Sequence, residues 1–416
     1  MTAVTVGLAP PRAKLSNAVV PLLALAVFIN YVDRGNLATA GPLIKDELHL
    51  SASSFGLIVS AFFWTYTPGQ LLAGWMAERF NAYRTLAAGL AVWSLATFTT
   101  GLVTGFTALL ALRLVLGLGE TAVFPCSSKL IGAYLPQHRM GAANGLVCAG
   151  TALGPAFGTF VGGMLMAQVG WRPAFLLFGA ASLLWLVPWL MVARSAPVGR
   201  PTDHAEPPPY LAMLRRPEMW GAGAGHFANN YSFYFVVTWL PVYLVKTQGF
   251  SMGEMAKVGG LVYLVYAASC LGMGWLADRM IGRGAAVGAV RKGWAVASHV
   301  IVAASLLVCV LGGPQVTVAA LCVAGLGLGF CAGSLYSIGQ TLAGPHASGK
   351  WIGLQNMFGN IAGIVGPLIT GVIVDRTGSF DNAFAVSAVV ALVGVPCWLL
   401  LIPKLSAIDW AAQRGS

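Results

Sequence analysis

The chain has 416 residues, of which 57% are hydrophobic and only 9% are charged, and its formal net charge is +11. Soluble domains carry about 25% charged residues, so this composition excludes an ordinary soluble protein. The positive charge does not indicate a nucleic-acid-binding protein, because the basic residues lie at the ends of long apolar runs rather than in one cluster.

Twelve apolar runs follow one another along the chain, and each is long enough to cross a bilayer. They predict an all-α integral membrane protein with twelve transmembrane helices. We expect no cleavable signal peptide, because the N-terminus is polar and the first run is too long and contains charged residues. The runs cover approximately residues 17–40, 53–77, 82–103, 106–133, 140–168, 172–194, 219–245, 253–277, 293–312, 315–343, 350–374 and 382–403.

The basic residues predict how these spans are oriented. If both termini are cytoplasmic, only five of the 24 Lys and Arg residues face the outer side and two lie within spans. Such an asymmetry follows the positive-inside rule. We therefore expect both termini in the cytoplasm and a multi-pass location in the cell (inner or plasma) membrane, with the lipid bilayer as partner. The outer residues are Lys45, Arg172, Lys246, Lys257 and Arg376.

Four charged residues lie deep within the first and fourth runs: Asp33, Arg34, Arg113 and Glu120. A charge at the centre of a bilayer costs about 2.5–3.5 kcal/mol on insertion scales, so each needs a reason to be there. Two acids and two bases sum to zero. This balance is typical of a polar site inside a membrane bundle and indicates transport of a charged solute.

Helical geometry limits how these four charges can pair. Asp33 and Arg34 point about 100° apart, so one is expected to face a central cavity and the other an adjoining helix. Arg113 and Glu120 share a face but lie roughly 10 Å apart along the axis, so each should find its partner on another helix. The alternative to a functional site is permanent pairing, for example Glu120 with Arg34 or Asp33 with Arg113.

Uncharged polar residues in other spans are candidate binding groups. A tyrosine hydroxyl can bind a carboxylate or a hydroxyl from an apolar wall, although aromatic packing is the more common role. Buried amides suit hydroxyl groups, and interhelical hydrogen bonding is the competing explanation. His226 could titrate, but a lone histidine near a helix end is more often structural. The candidates are Tyr31, Tyr66, Gln70, Asn229, Asn230 and Asn356, with Asn360 four residues after Asn356 on the same face.

The chain also repeats itself after about 200 residues. A Gly-Trp-x-Ala-Asp/Glu-Arg sequence follows the second run and recurs after the eighth, and a Gly-Pro pair in the fifth run recurs in the eleventh. Both repeats predict two six-helix halves in parallel repeat, residues 1–194 and 219–416. A proline-rich cytoplasmic linker over 195–218 is expected to join them. The charged and glycine positions of the repeated loops are Gly74, Glu78, Arg79, Gly274, Asp278 and Arg279.

These loops resemble the loop between spans two and three of the major facilitator superfamily. Three further stretches resemble its anion:cation symporter family, which includes galactonate, glucarate and hexuronate transporters and, more distantly, vesicular glutamate transporters and sialin. They are NYVDRGNL at 30–37, FWTYTPGQ at 63–70, and RLVLGLGE at 113–120, which continues to Phe124 and Pro125.

The resemblance implies a fold and roles for several residues. It implies the major facilitator fold, a monomer and a gating role for the repeated loops. It also implies that Arg34 binds the substrate carboxylate, since a planar guanidinium can form two parallel hydrogen bonds with a carboxylate. It also implies that Asp33 and Glu120 take up protons, with Arg113 in the same proton-coupling group. Asn229 stands where the vesicular glutamate transporters have a second arginine, which favours a monoanion bearing hydroxyls over a dicarboxylate.

The sequence therefore predicts a proton-coupled symporter that imports an organic anion, most plausibly a sugar acid such as a hexonate or hexuronate, by alternating access. We expect no enzyme activity, no metal and no cofactor beyond the proton as coupling ion. The alternative is proton-driven efflux of a drug or metabolite, which the Gly-Pro pair in the fifth run keeps open. Arg34 beside several polar side chains favours an anion over a lipophilic cation.

Overall fold

The computed structural model describes residues 16–50, 52–194, 207–250 and 252–410. Over these ranges the chain is helical and contains no β-strand. The predicted all-α class is therefore confirmed. Part of the predicted linker, residues 195–206, lies outside the described residues.

Nine α-helices and one π-helix are described before the linker, and they follow the first six apolar runs. Their bounds are α1 Val19–Glu47, α2 Ala52–Arg79, α3 Ala82–Thr100, α4 Phe106–Glu120, α5 Val123–Tyr134, α6 Gln137–Phe157, a π-helix Gly158–Gly162, α7 Gly163–Val169, α8 Trp171–Leu184 and α9 Leu186–Arg194.

Seven α-helices are described after residue 206, beginning with one short helix in the predicted linker. Their bounds are α10 Tyr210–Leu214, α11 Pro217–Lys246, α12 Met252–Gly282, α13 Val287–Leu311, α14 Pro314–Ala343, α15 Ser348–Thr377 and α16 Asp381–Leu400.

Proline explains two breaks that the apolar pattern did not predict. Pro125 has no N–H to donate to the carbonyl of Thr121. The fourth run divides into α4 and α5 at Thr121. Pro188 cannot donate to the carbonyl of Leu184, and the sixth run divides between α8 and α9 at Trp185. The first break follows Glu120 directly, so the helix is interrupted next to a buried charge.

Among the described residues, seven helical segments are long and apolar enough to cross a membrane. The other five predicted runs coincide with α1, α2, α3, α11 and α15, which are helices of 19 to 30 residues. The seven segments are Phe106–Tyr134, Gln137–Met166, Trp171–Arg194, Lys257–Gly282, Val287–Leu311, Pro314–Ala343 and Asp381–Leu400.

Helices from before and after the linker pack against one another along two seams. One seam joins α6 to α12, and the other joins α2 to α15. Within the first group, α1 packs on α6 and α2 on α4, while within the second α13 packs on α14 and α11 on α15. These contacts place α1, α2, α11 and α15 around a common centre, where the candidate site lies.

Candidate functional site

An ion pair joins two of the four buried charges. Nε of Arg34, on α1, donates a hydrogen bond of 3.0 Å to Oε2 of Glu120, the last residue of α4. Nη2 of Arg34 lies 2.9 Å from the same oxygen. The Glu120 side chain is fully buried, and its Oε1 accepts no hydrogen bond of normal geometry within the described ranges, although the Asn30 side chain lies beside it. Arg34 therefore bonds to only one of the two carboxylate oxygens.

Three aromatic rings surround the Arg34 guanidinium. Its Cζ lies 4.5 Å from the ring centroid of Tyr31 and 4.6 Å from those of Phe62 and Tyr66. Phe62 and Tyr66 stack on each other with centroids 4.9 Å apart. Ring faces attract a guanidinium, and more strongly where water is excluded. The cage thus fixes the position of Arg34 without cancelling its charge.

Asp33 and Arg113 are also buried, but no ion pair links them to each other or to another described residue. Neither oxygen of Asp33 accepts a hydrogen bond of normal geometry from the described residues, although Thr97 lies beside it. The partner of Arg113 on another helix is the ring of Phe62, whose centroid lies 5.3 Å from its Cζ. The alternative of an Asp33–Arg113 pair is therefore not observed, whereas that of Arg34 with Glu120 is.

A central cavity lies next to the Arg34 cage. It encloses about 540 Å³ of space not filled by protein atoms, counting the part that opens to solvent. Its wall combines aromatic rings, amides, one imidazole and small apolar groups. The lining residues are Tyr31, Tyr66, Phe124, Cys148, Thr151, His226, Asn229, Asn230, Phe233, Tyr234, Tyr266, Ala332, Leu335, Tyr336, Asn356 and Asn360.

Two asparagines of α15 connect this wall to its neighbours. Oδ1 of Asn356 accepts a hydrogen bond of 3.3 Å from the Tyr336 hydroxyl, and its Nδ2 donates one of 3.4 Å to Gln70 on α2. Oδ1 of Asn360 accepts a hydrogen bond of 2.9 Å from the Tyr234 hydroxyl. These bonds hold the phenols at fixed positions around the cavity.

Most of the predicted binding residues meet at this cavity. Tyr31, Tyr66, Asn229, Asn230 and Asn356 line it directly. Arg34 and Gln70 do not line it and lie behind the wall, in contact with Tyr66 and Asn356 respectively.

Other lining residues were not selected from the sequence. Phe124, Thr151, Phe233 and Tyr266 look like ordinary residues of apolar helices, and only the packing of α5, α6, α11 and α12 brings them together. His226, interpreted above as structural, also lines the cavity. A pattern of polar residues at i, i+3 and i+4 on α11 could have identified it, because such residues share a face.

The structure places the repeated Gly-Trp-x-Ala-Asp/Glu-Arg segments in the last turns of α2 and α12 rather than in loops. They meet the opposite helix group at one end of the bundle, which we call the Glu78 end. Glu78 is the second-last residue of α2 and forms an ion pair with Lys129. Its Oε1 also accepts a 2.7 Å hydrogen bond from the backbone N–H of Gly349, in the first turn of α15. A carboxylate at a helix N-terminus satisfies unpaired N–H groups and interacts favourably with the helix dipole.

Asp278, near the end of α12, makes the equivalent contact with α6. Its two oxygens accept hydrogen bonds of 3.0 and 2.6 Å from the backbone N–H groups of Gly141 and Ala142, in the first turns of α6. Arg291 of α13 forms an ion pair with it. The two repeated segments therefore use one arrangement twice: an acid, a basic partner and the start of a helix from the other group.

The repeated glycines allow these helices to approach closely, whereas the repeated arginines lie outside the contacts. A Cβ at Gly74 would lie 2.9 Å from the carbonyl oxygen of Gly349, and one at Gly274 would overlap that of Gly141. Arg79 and Arg279 are exposed, with Arg279 over the ring of Trp275.

Comparison with known proteins identifies a family. The family model described as Major Facilitator Superfamily matches residues 23–366 and 290–412. A probable sulfoacetate transporter of Cupriavidus necator is 30% identical over 95% of this chain and 96% of its own length. A hexuronate transporter of Bacillus subtilis is 29% identical over 90% of this chain and 92% of its own. A D-galactonate transporter of Escherichia coli is 27% identical over 93% and 95%, respectively.

Solved structures show the same fold. A major facilitator transporter, FucP, crystallised in an outward conformation, superposes with a TM-score of 0.73 at 16% identity, over 92% of this chain and 99% of that one. A bacterial homologue of the lysosomal transporter Spinster, in an inward-facing and occupied conformation, gives a TM-score of 0.64 at 17% identity over 94% and 97%. The family resemblance and the predicted all-α major facilitator fold are confirmed, while the number of spans and the orientation of the termini stay predictions.

Proposed function

Because the chain belongs to the major facilitator superfamily, we propose that it is a proton-coupled symporter that imports an organic anion, a sugar acid of the hexonate or hexuronate class. It is a membrane transporter rather than an enzyme, as its relatives are. The buried Arg34–Glu120 pair beside the cavity is the observation that carries this proposal, because it puts a fixed cation next to an acid that can take up a proton.

The proposed membrane arrangement follows from the charge distribution. Twelve spans form two six-helix halves, residues 1–194 and 219–416, with the linker 195–218 and both termini in the cytoplasm. The Glu78 end of the bundle is then cytoplasmic, and its contacts close the cavity on that side. The molecule works as a monomer in the cell membrane and alternates access by rocking one half against the other.

Arg34 supplies the anion specificity in this proposal. Its guanidinium is permanently charged and can offer a carboxylate two parallel hydrogen bonds. Its Nη2 has a donor without a partner of good geometry in the described part of the chain, and the caging rings of Tyr31 and Tyr66 are also cavity wall. A small rotation of these rings, or of the ligand between them, brings an anion into contact with Arg34.

The charge balance of the buried group supplies the coupling. With Asp33, Arg34, Arg113 and Glu120 all ionised the group is neutral, and an anion would leave it at −1. Protonation of either acid makes it +1, and the anion then restores neutrality. Proton and anion therefore favour each other's binding, and this reciprocity is the thermodynamic basis of symport.

The Arg34–Glu120 pair also explains how substrate binding would favour protonation of Glu120. A substrate carboxylate that takes over hydrogen bonds from Arg34 competes with Glu120 for the same nitrogens. The displaced, buried carboxylate is then costly to keep ionised, so it binds a proton. Asp33 has no ion-pair partner among the described residues and provides a second buried site for a proton.

The relatives support an anionic organic substrate. Three of them are named for sulfoacetate, hexuronate and D-galactonate, which share an acidic group on a small polar molecule. In this chain the cavity adds asparagines and tyrosine hydroxyls, which suit the hydroxyl groups of a sugar acid.

The testing experiment is uptake of labelled sugar acids into proteoliposomes, with and without an inward proton gradient. Gradient-stimulated uptake of one acid, lost in Arg34→Ala, would support the proposal. The absence of uptake of any acid, together with proton-driven extrusion of another compound, would overturn it and favour efflux.

A further inference from the structure

Residues 401–410 follow α16 without forming a helix and lie against the turn between α14 and α15. We call this segment the C-terminal strap. The backbone N–H of Ile408 donates a hydrogen bond of 2.9 Å to the carbonyl oxygen of Leu342. Nε1 of Trp410 donates one of 2.9 Å to the carbonyl oxygen of Ala343. These carbonyls belong to the last two residues of α14 and have no partner within their own helix, so the strap caps the end of α14.

The strap also packs against the start of α15. Leu405, Ile408 and Trp410 contact a buried apolar cluster that includes Trp351. The rings of Trp410 and Trp351 have centroids 6.1 Å apart. Trp351 is fully buried and lies in the first turn of α15. The strap therefore fixes the end of one helix and the beginning of the next.

The same turn binds the helix group that precedes the linker. Nζ of Lys129, on α5, donates a hydrogen bond of 2.8 Å to the carbonyl oxygen of Pro345. Lys129 is also the ion-pair partner of Glu78, which accepts from the backbone N–H of Gly349. Gly349 lies two residues before Trp351. The contacts that close the Glu78 end are therefore made by the turn that the strap holds.

The linker meets the residue between these two. Nζ of Lys350 donates a hydrogen bond of 3.0 Å to the carbonyl oxygen of Pro208 and lies 5.4 Å from the ring centroid of Tyr210. The consecutive residues Gly349, Lys350 and Trp351 thus contact α2, the linker and the strap, respectively. The position of this first turn of α15 depends on all three.

We propose that Ile408 and Trp410 are positioning residues for closure of the Glu78 end. They hold the turn between α14 and α15, and with it the Gly349 N–H that Glu78 binds. This inference goes beyond the proposed function, because it gives the C-terminal strap control over closure whichever solute is carried. Its consequence for uptake rests on the proposed alternating access.

Loss of the strap contacts should act on the turn and leave the helices in place. α14 keeps its packing on α13, and α15 keeps its packing on α11. Trp410 is only half-buried, so water can reach the two carbonyls that a displaced strap leaves. A turn that is no longer held must be ordered each time Glu78 and Lys129 bind it, and ordering the backbone costs conformational entropy. The closed arrangement is therefore weakened while the fold is kept.

The test measures the separation of the two helix groups directly. Spin labels replace the exposed residues Phe80 and Arg283 in the full-length protein, and pulsed electron paramagnetic resonance in proteoliposomes gives the distribution of label-to-label distances. We expect Trp410→Ala to raise the ratio of separated to closed molecules about fivefold, the effect of losing one hydrogen bond. Ile408→Pro removes the other donor and should act in the same direction.

Two comparisons distinguish positioning from a general loss of packing. Trp239→Ala is the matched control, because Trp239 is also half-buried and packs on one ring, that of Phe380 at 5.9 Å, near the far end of α11. It should keep the wild-type distances. Glu78→Ala removes the acid that Gly349 binds. Adding Trp410→Ala to it should change the ratio by less than about twofold, since the two changes act through one contact.

The outcomes are distinguishable from those of the proposed function, because the measurement is a distance and needs no substrate. Separation in both strap variants, together with non-additivity with Glu78→Ala, would support the inference. Wild-type distances in both strap variants would overturn it and leave the symporter proposal standing. Additive effects of Trp410→Ala and Glu78→Ala would also overturn it, since the strap would then act elsewhere than on the Gly349 contact.

Discussion

Arg34 and Glu120, 86 residues apart in the sequence, converge on a single carboxylate oxygen: Nε and Nη2 of Arg34 lie 3.0 and 2.9 Å from Oε2 of Glu120. The remaining oxygen of Glu120 accepts no hydrogen bond of normal geometry from the described residues, although the Asn30 side chain lies beside it. Because both side chains lie in the bundle and three aromatic rings cage the cation, any ligand or proton that reaches one of them changes the environment of the other.

Glu120→Gln should uncouple transport from the proton gradient. The amide imitates a protonated acid, so the buried group carries +1 as long as Asp33 is ionised and still accepts an anion. We expect gradient-driven accumulation to fall at least about tenfold, while exchange of internal for external substrate continues. Counterflow and gradient-driven uptake, measured on the same proteoliposomes, separate the two activities.

The same change at an exposed acid is the control. Glu47→Gln, on the surface at the end of α1, should leave both activities at wild-type levels. Gradient-driven accumulation that survives in Glu120→Gln would remove Glu120 from the coupling step and leave Asp33 as the candidate.

Arg34→Ala should destabilise the protein by more than the loss of one ion pair explains. It leaves the Glu120 charge buried without a partner, and removing one member of a buried pair typically costs about 3–5 kcal/mol. The double variant Arg34→Ala/Glu120→Ala has no such orphan charge and should recover much of the lost stability. Thermal unfolding in detergent of the two single variants and the double variant measures this coupling, and additive losses would contradict it.

The sequence predicted the fold and the charged centre because both depend on strong local costs. A charge in an apolar run is expensive, so Asp33, Arg34, Arg113 and Glu120 could be selected one at a time. Their pairing could not be read in the same way. Helical geometry argued against a bond between Arg113 and Glu120, but only the folded structure could show that Arg34 of α1 meets Glu120 at the end of α4.

The cavity wall shows where prediction from residue type ends. A tyrosine or phenylalanine in an apolar helix has the same pattern whether it packs in the core or lines a cavity, so Tyr266 and Phe124 could not be distinguished from core residues. His226 was interpreted as structural for a related reason. A lone histidine in a helix is usually structural, and its place in the cavity wall becomes visible only when α14 and α15 are packed beside it.

Glu47→Gln should reveal a pH-dependent contribution to stability at the other end of α1. Arg172 and Trp171 donate hydrogen bonds of 2.8 and 2.5 Å to the Glu47 carboxylate, and these bonds lower its pKa below the ordinary value of 4.5. A lowered folded-state pKa stabilises the fold above the ordinary value and loses that effect as the pH falls through the folded value. The side chain is 47% exposed, so solvent screening keeps the effect below about 1 kcal/mol.

The measurement is the melting temperature of the wild type and Glu47→Gln across acidic pH. The wild type should be slightly more stable at pH 6 and 7, and the difference should disappear as the pH falls below 4.5. A difference that grows on acidification would contradict the lowered pKa.

Gly274→Ala should hold the Glu78 end of the bundle open. A methyl group there would overlap the Gly141 carbonyl oxygen across the α6–α12 seam, whereas Gly272, two residues earlier on the same helix, has no atom within 4 Å of its ideal Cβ. Overpacking costs about 1–3 kcal/mol, and in this protein the helices can avoid the overlap by separating. Each 1.4 kcal/mol of overpacking cost in the closed state should therefore lower the ratio of closed to open molecules by about tenfold, and the rate of uptake should fall with that ratio.

Gly272→Ala is the matched control, since it adds the same methyl group to the same helix without touching the seam. Pulsed electron paramagnetic resonance between spin labels at the exposed positions Phe80 and Arg283 would report the separation of the two sides. We expect a longer distance and slower uptake in Gly274→Ala and wild-type values in Gly272→Ala. Equal label-to-label distances in the two variants would show that the α6–α12 contact accommodates the added methyl group without separating. The close approach of Gly274 to Gly141 would then not control closure.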